Sequence, residues 1–193
     1  MLKHKAYQLL YSNEPLVQSD IEVIRAIREL DHELENWRIT IPKFLRPALS
    51  ISVSITPMPD LKLQQGMQHI ILHLEYHHLM AALNSSVALC LEASRSTLIY
   101  LQAAVDWLEA DAFWRVIFYP TATMMTLFFH IFAKPSSPQA KADLELMSST
   151  EKLIRNMPLP ELTLRQTSHV QLLTKFVSDL VRLGDLAMLK ARV

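Results

Sequence analysis

His69, His73 and His77 recur at every fourth residue, so on a helix they share one face and lie within reach of one another. Two neighbouring helical imidazoles can ligate zinc. The metalloprotease pattern adds a glutamate at a set step, and Glu75 stands two or six residues away, on another face, so that pattern fails. No metal site is expected, and packed or surface histidines account for the three rings. Tyr76, Tyr100, Trp107, Trp114, Tyr119 and His130 fall on predicted core helices. Such residues either fill a core or line an apolar pocket with a few polar tips, the usual make-up of a small-molecule site. The candidate ligand-binding residues of such a pocket are His73, Tyr76, His77, Trp114, Tyr119 and His130. Asp106, Asp111 and Arg115 either orient a ligand or form a solvated ion pair worth under about 1 kcal/mol. There is no G-x-S-x-G elbow, glycine-rich phosphate loop or nucleophilic-cysteine signature. No cofactor is expected, and no residue is assigned a catalytic role.

The elements that must position these residues are helices. A chain of 193 residues suffices for one domain with a true core, so residues 1–193 are read as a single domain. Only two residues are glycine. Sheet proteins need many tight turns, whereas helices joined by proline-bounded loops manage without glycine, and ten prolines are present. The expected fold is all-α, a single bundle of about six to eight helices. Ser19-Asp20-Ile21-Glu22 has the form of a capping box, and Ile21, Ile24, Ile27, Leu30, Leu34 and Trp37 follow at helical steps, predicting a helix over 19–38. Ile51, Val53 and Ile55 alternate with serines between prolines and read as an extended loop rather than a strand, for want of a partner. Asp60 caps a central helix over 61–83, apolar on more than one side. Asn84-Ser85-Ser86 caps the next, which runs from near Cys90 to Leu108. Pro120 kinks the following helix or marks its start. Ser137 as cap and Pro138 at the first helical position open a helix to about Asn156. After Met157-Pro158-Leu159-Pro160, Val170, Leu173, Phe176, Val177, Leu180 and Val181 give the final helix its face.

Nineteen basic residues balance nineteen acidic ones, so no global field attracts a polyanion and no direct nucleic-acid binding is expected. The single cysteine, Cys90, can form neither an intrachain disulfide nor a cysteine metal cluster, and reads as a small hydrophobe in a reducing compartment. The N-terminal Met1-Leu2-Lys3-His4-Lys5 lacks the apolar run of a secretory signal. Residues 116–133 are uncharged and approach the length of a membrane span. Pro120, three threonines, Tyr119 and His130 within them point instead to a buried helix, and no membrane partner is expected.

The order of these features resembles the middle homology, or regulatory, domain of fungal zinc-cluster transcription factors. Leu30-Asp31-His32-Glu33-Leu34-Glu35-Asn36-Trp37-Arg38 followed by Ile41-Pro42 is similar to the acidic helix that ends in Trp-Arg before a proline. Leu72-His73-Leu74-Glu75-Tyr76-His77-His78 resembles the histidine-rich central helix, and Cys90-Leu91-Glu92-Ala93-Ser94-Arg95 the small-residue helix after it. Phe118-Tyr119-Pro120, Pro135 to Pro138 and Ala142-Asp143-Leu144 complete the series. The resemblance covers about Asp20 to Leu183. Asn84-Ser85-Ser86-Val87 replaces the usual Arg-Pro pair, and one cysteine cannot build the family's six-cysteine zinc cluster. The front half of the regulatory domain also has no counterpart in this sequence. The resemblance implies a nuclear or cytoplasmic regulatory-domain-like protein without a DNA-binding module, binding a small apolar effector or a protein partner. The alternative is a cofactor-independent enzyme or carrier of fungal secondary metabolism, its apolar pocket holding a polyketide- or terpenoid-like substrate. His73, His77, Tyr119 or His130 would then supply acid or base. Helix faces left uncovered predict a homodimer.

Overall fold

The computed structural model describes residues 4–6, 8, 20–48, 50–51, 63–83, 87–108, 113–157 and 161–191. Seven α-helices and one 3₁₀ turn are bounded among the described residues, with no strand among them, so the all-α expectation holds. They are α1 (Asp20–Thr40), α2 (Leu63–Leu83), α3 (Val87–Ala104, extended by a 3₁₀ turn over Val105–Trp107), α4 (Phe113–Val116), α5 (Phe118–Ala133), α6 (Ala140–Asn156) and α7 (Leu164–Lys190). Ser19, residues 52–60 with their serine alternation and Asp60, Asn84-Ser85-Ser86, Asp111 and Pro158 to Pro160 lie outside the described residues.

The most extensive packing joins α2 to α3, and α3 also touches α5 and α6. That makes α3, rather than α2 alone, the centre of the bundle. Small side chains allow it: Ala93, Ser94, Ser96 and Thr97 are all buried beside Leu98 and Leu101, and Thr97 returns its hydroxyl to the Ala93 carbonyl at 3.0 Å, so burial leaves it bonded. α7 closes the bundle over α5 and α6. At the crossing, Gly184 lets the backbone approach Leu144 and Ile131 closely. Most buried apolar residues of α2 to α7 form one core; Leu30, Leu34, Tyr76, Leu79, Met80 and Leu83 form a second between α1 and α2.

Only the later part of α1 docks. Leu30 and Leu34 are buried, whereas Ile21 and Ile24, on the same predicted face, are exposed, because α1 packs on α2 through that later part. Lys5 pairs with the Glu33 carboxylate at 2.9 Å and ties the N-terminal segment to α1.

Pro120 marks a start rather than a kink. Ile117 separates α4 from α5, and Pro120 occupies the first turn, where its missing N–H would have had no partner in its own helix. The cap expected at Ser137 is displaced. The Ser137 carbonyl accepts from Ala140 N at 3.0 Å in a four-residue turn, so α6 begins at Ala140. α7 opens on a capping box, Thr163 with Gln166.

Residues 113–133 are long and apolar enough to cross a membrane by length and composition. One side of them is core, with Met124, Leu127 and Ile131 at 0% exposure.

Candidate functional site

The α2–α3 seam gathers the histidine series. The His73 ring stacks on Tyr100, centroids 4.6 Å apart and planes 4° from parallel. His69 Nδ1 lies 2.8 Å from the Tyr100 hydroxyl. A carbonyl only accepts, so His73 carries its proton on Nδ1 and donates to the His69 carbonyl at 3.0 Å. By the same logic His77 carries its proton on Nε2 and donates to the Ala48 carbonyl at 2.8 Å. Burial pushes His73 down to about 3, helped by neighbouring His69, and His77 down to about 4. His69 is lowered for the same reason, and burial raises Tyr100. These are neutral rings pinning helices together. Among the described residues no group of three or more His, Cys, Asp or Glu is placed to hold a metal.

The loop after α1 is fastened to this seam. Arg38 pairs with Glu35 and reaches the Pro47 carbonyl at 3.1 Å, Arg46 bonds the Ile39 and Ile41 carbonyls, and Ile51 N donates to Ser96 Oγ at 3.0 Å. Residues 41–48, 50 and 51 are thereby brought against α2 and α3. Ile51 becomes one wall of a cleft of about 420 Å³ between α3 and α6.

Ile51, Ile99, Ala103, Ala142 and Leu146 give the cleft its apolar lining, and Arg95, Asp143, Tyr100, Gln102 and Gln139 its polar groups. Arg95 projects from α3 and grips Asp143 of α6 with two bonds, Nε to Oδ1 at 2.6 Å and Nη2 to Oδ2 at 2.9 Å. The Asp143 side chain is 2% exposed and that of Arg95 21%, so the carboxylate is sealed while the guanidinium keeps an edge toward the opening. Its bonds to Asp143 hold the guanidinium firmly charged. Glu92 Oε2 lies 3.7 Å from Arg95 Nη1, and His130 Nδ1 of α5 lies 3.9 Å from Asp143 Oδ2. Gln102 binds Ser149 and Thr150 at 2.7 and 3.0 Å. Such a cleft can hold a compact, largely apolar molecule and orient one polar end.

The candidate ligand residues are dispersed. His73 and His77 belong to the seam, and Tyr76 to the α1–α2 core, where burial lifts its hydroxyl to about 12. Tyr119 is buried and donates to Glu75 at 3.0 Å. Trp114 is 39% exposed, and Trp107, expected in the core, is 37% exposed: Trp107 ends the 3₁₀ turn beside exposed Asp106, and Trp114 takes the outer side of α4, whose Phe113 and Val116 are buried. His130 approaches the cleft through Asp143. None of the six lines the cleft, whereas Tyr100 does. Asp106 and Arg115 are both exposed. Cys90 is half-buried, with its thiol pushed up by burial.

Arg95 and Asp143 were the residues missed. Their signal was a charge set where the apolar pattern demands burial: Arg95 amid Ala93, Ser94, Ser96 and Thr97, and Asp143 on the buried phase Ala140, Met147, Thr150 and Ile154. A charge in such a place needs a partner.

No protein-family model matches the chain, and no solved structure matches it. An ABC-transporter-regulating transcription factor of Aspergillus fumigatus is 27% identical over 178 residues, covering 76% of this chain and 19% of the relative. A protein of the same description from Aspergillus oryzae is 26% identical over the same share. The chain spans about a fifth of the length of these curated relatives. In sequence, then, the chain is similar to part of two fungal transcription regulators.

Proposed function

We propose that the chain is a regulatory-domain-like module of fungal transcriptional control that binds a small effector in the α3–α6 cleft without itself contacting DNA. The observation that carries this reading is the cleft. Its volume, about 420 Å³, lies in the range of small-molecule sites. It joins an apolar lining to one partly accessible guanidinium. The similarity to two transcription regulators supports the regulatory setting, and the balance of nineteen basic against nineteen acidic residues supports the lack of DNA contact. An effector there touches α3 and α6 together, so its binding can bias how they pack, which is what a sensor requires. The enzyme alternative needs an acid or base in the cleft, and none of His73, His77, Tyr119 and His130 lines it.

Anilinonaphthalene sulfonate, an aromatic anion, is a suitable probe. It should bind saturably at one equivalent, and Ala142→Trp, which fills the cleft from an exposed position, should abolish that binding while leaving the helical circular dichroism intact. Unchanged binding in Ala142→Trp would remove the cleft as the site.

A further inference from the structure

The outer face of α5 is apolar although it faces away from the core. Phe118, Ala122, Met125, Phe129 and Phe132 follow one another at steps of four, three, four and three, the spacing of a helix–helix seam. Phe118, Met125, Phe129 and Phe132 are 51, 37, 59 and 65% exposed. No charge lies on the helix between Arg115 and Lys134. Beside this row, between α2 and α5, runs a groove of about 270 Å³. It is lined by His78, Ala81, Ala82, Ala122, Met125 and Phe129, among others.

From this geometry we infer that α5 is a homodimer seam, on which a second copy of the chain packs antiparallel about a two-fold axis at Met125. In that register Phe118 meets the partner's Phe132, and Met125 meets its counterpart. Phe129 stands over the partner's Ala122, the small residue beside the groove. The surface is therefore its own complement, each copy offering one protruding ring and one hollow, as an isologous contact requires. The hollow is large enough, since an apolar cavity of about 150 Å³ accepts a benzene ring. At roughly 200 Å² for a whole residue of this size, the four exposed side chains present about 400 Å² per copy. Two such faces and their rims approach the about 1,000 Å² that marks a specific interface. Methionine at the axis adapts its shape to whatever gap remains.

The register has an electrostatic signature. Exposed Arg115 and Lys134 bracket the row, so the antiparallel pair sets Arg115 of each copy near Lys134 of the other. Association should therefore tighten with added salt, about threefold from low to moderate ionic strength, as two exposed like-charge contacts are screened. Lys134→Glu converts both contacts to attractions and should tighten the low-salt dimer by a similar factor. In a parallel pair Lys134 faces its own counterpart, so the same change exchanges one like-charge contact for another and leaves the affinity nearly unchanged.

Sedimentation equilibrium of the full chain, its Phe129→Asp and its Lys134→Glu variants tests this, with circular dichroism as the folding control. The expected result is a micromolar dimer, weakened at least about tenfold by Phe129→Asp and tightened by Lys134→Glu. Phe129 is exposed enough for the monomer to tolerate the carboxylate. A monomer up to about 0.1 mM, a dimer indifferent to Phe129→Asp, or one that Lys134→Glu fails to tighten would overturn the proposal. So would a monomer that binds neutral phosphatidylcholine vesicles through the same face.

Discussion

Replacing Arg95 by methionine should cost the fold about 3 kcal/mol, because it strands the carboxylate that Arg95 grips. Asp143 is 2% exposed and receives two bonds from Arg95, at 2.6 and 2.9 Å. Removing one member of a buried pair typically costs about 3–5 kcal/mol. The lower end applies here, since the 21% exposure of Arg95 means that water already screens the pair in part. Asp143→Leu should cost less, about 1–2 kcal/mol, because the guanidinium left behind can turn to solvent or to Glu92. The double variant Arg95→Met/Asp143→Leu should return to within about 1 kcal/mol of the parent, an apolar pair being an adequate substitute for a buried ionic one. Urea denaturation followed at the helical circular dichroism band measures all four corners of the cycle. Thermal midpoints should fall by roughly 6–12 °C for the Arg95 variant, at about 2–4 °C per kcal/mol in a chain of this size. Additive single costs, or an Arg95 variant within about 1 kcal/mol of the parent, would refute the premise that the pair acts as one buried unit.

Acid should destabilise the fold through its neutral histidines. His73 and His77 sit at about 3 and about 4 in the folded chain against an ordinary 6.5. Between those values and 6.5 the unfolded chain binds protons that the folded chain excludes. Stability therefore rises with pH across this window and is lost as pH falls, at up to about 1.4 kcal/mol per pH unit per histidine. Urea midpoints should track this slope, and His73→Phe should flatten it; a level profile would contradict the assignment. At Gly184, an added Cβ meets Leu144 Cδ1 at 3.2 Å, a movable methyl. Gly184→Ala should be near neutral, relief of the helix penalty offsetting the contact, whereas Gly184→Leu should cost about 2 kcal/mol; denaturant midpoints distinguish the two. Thr163→Ala removes the α7 cap and should cost about 1 kcal/mol, visible as a lower thermal midpoint.

The helices were legible because their signals are local. Scarce glycine, bracketing prolines and apolar steps of three and four placed α1, α2, α3 and α6 within a few residues and gave α5 and α7 their apolar faces, while the short α4 was read as one element with α5; Thr163-x-x-Gln166 could have been read in the same way. Depth was less legible. The periodicity of Ile21, Ile24 and Ile27 states which side of α1 is greasy, but not how far α2 extends to cover it. Trp107 and Trp114 have core-like side chains yet lie on the outer side of elements too short for a helical period to show which side is covered. The aromatic and histidine signals attracted the site prediction, although His69 pairs with Tyr100 and His73 and His77 spend their N–H groups on backbone carbonyls of the α2–α3 seam. The cleft escaped notice because its defining contact spans 48 positions of chain, from Arg95 to Asp143, and depends on a loop that Arg38 and Arg46 fold onto the bundle.

Methyl-resolved NMR of isoleucine-labelled protein, titrated with anilinonaphthalene sulfonate, tests effector binding at the α3–α6 cleft most directly. Ile51 and Ile99 line that cleft, Ile39 is exposed elsewhere, and Ile70 and Ile131 are sealed in the core. The predicted result is shifts concentrated at Ile51 and Ile99 that saturate at one equivalent. Shifts absent from those two methyls, or no saturable change at any methyl, would contradict it.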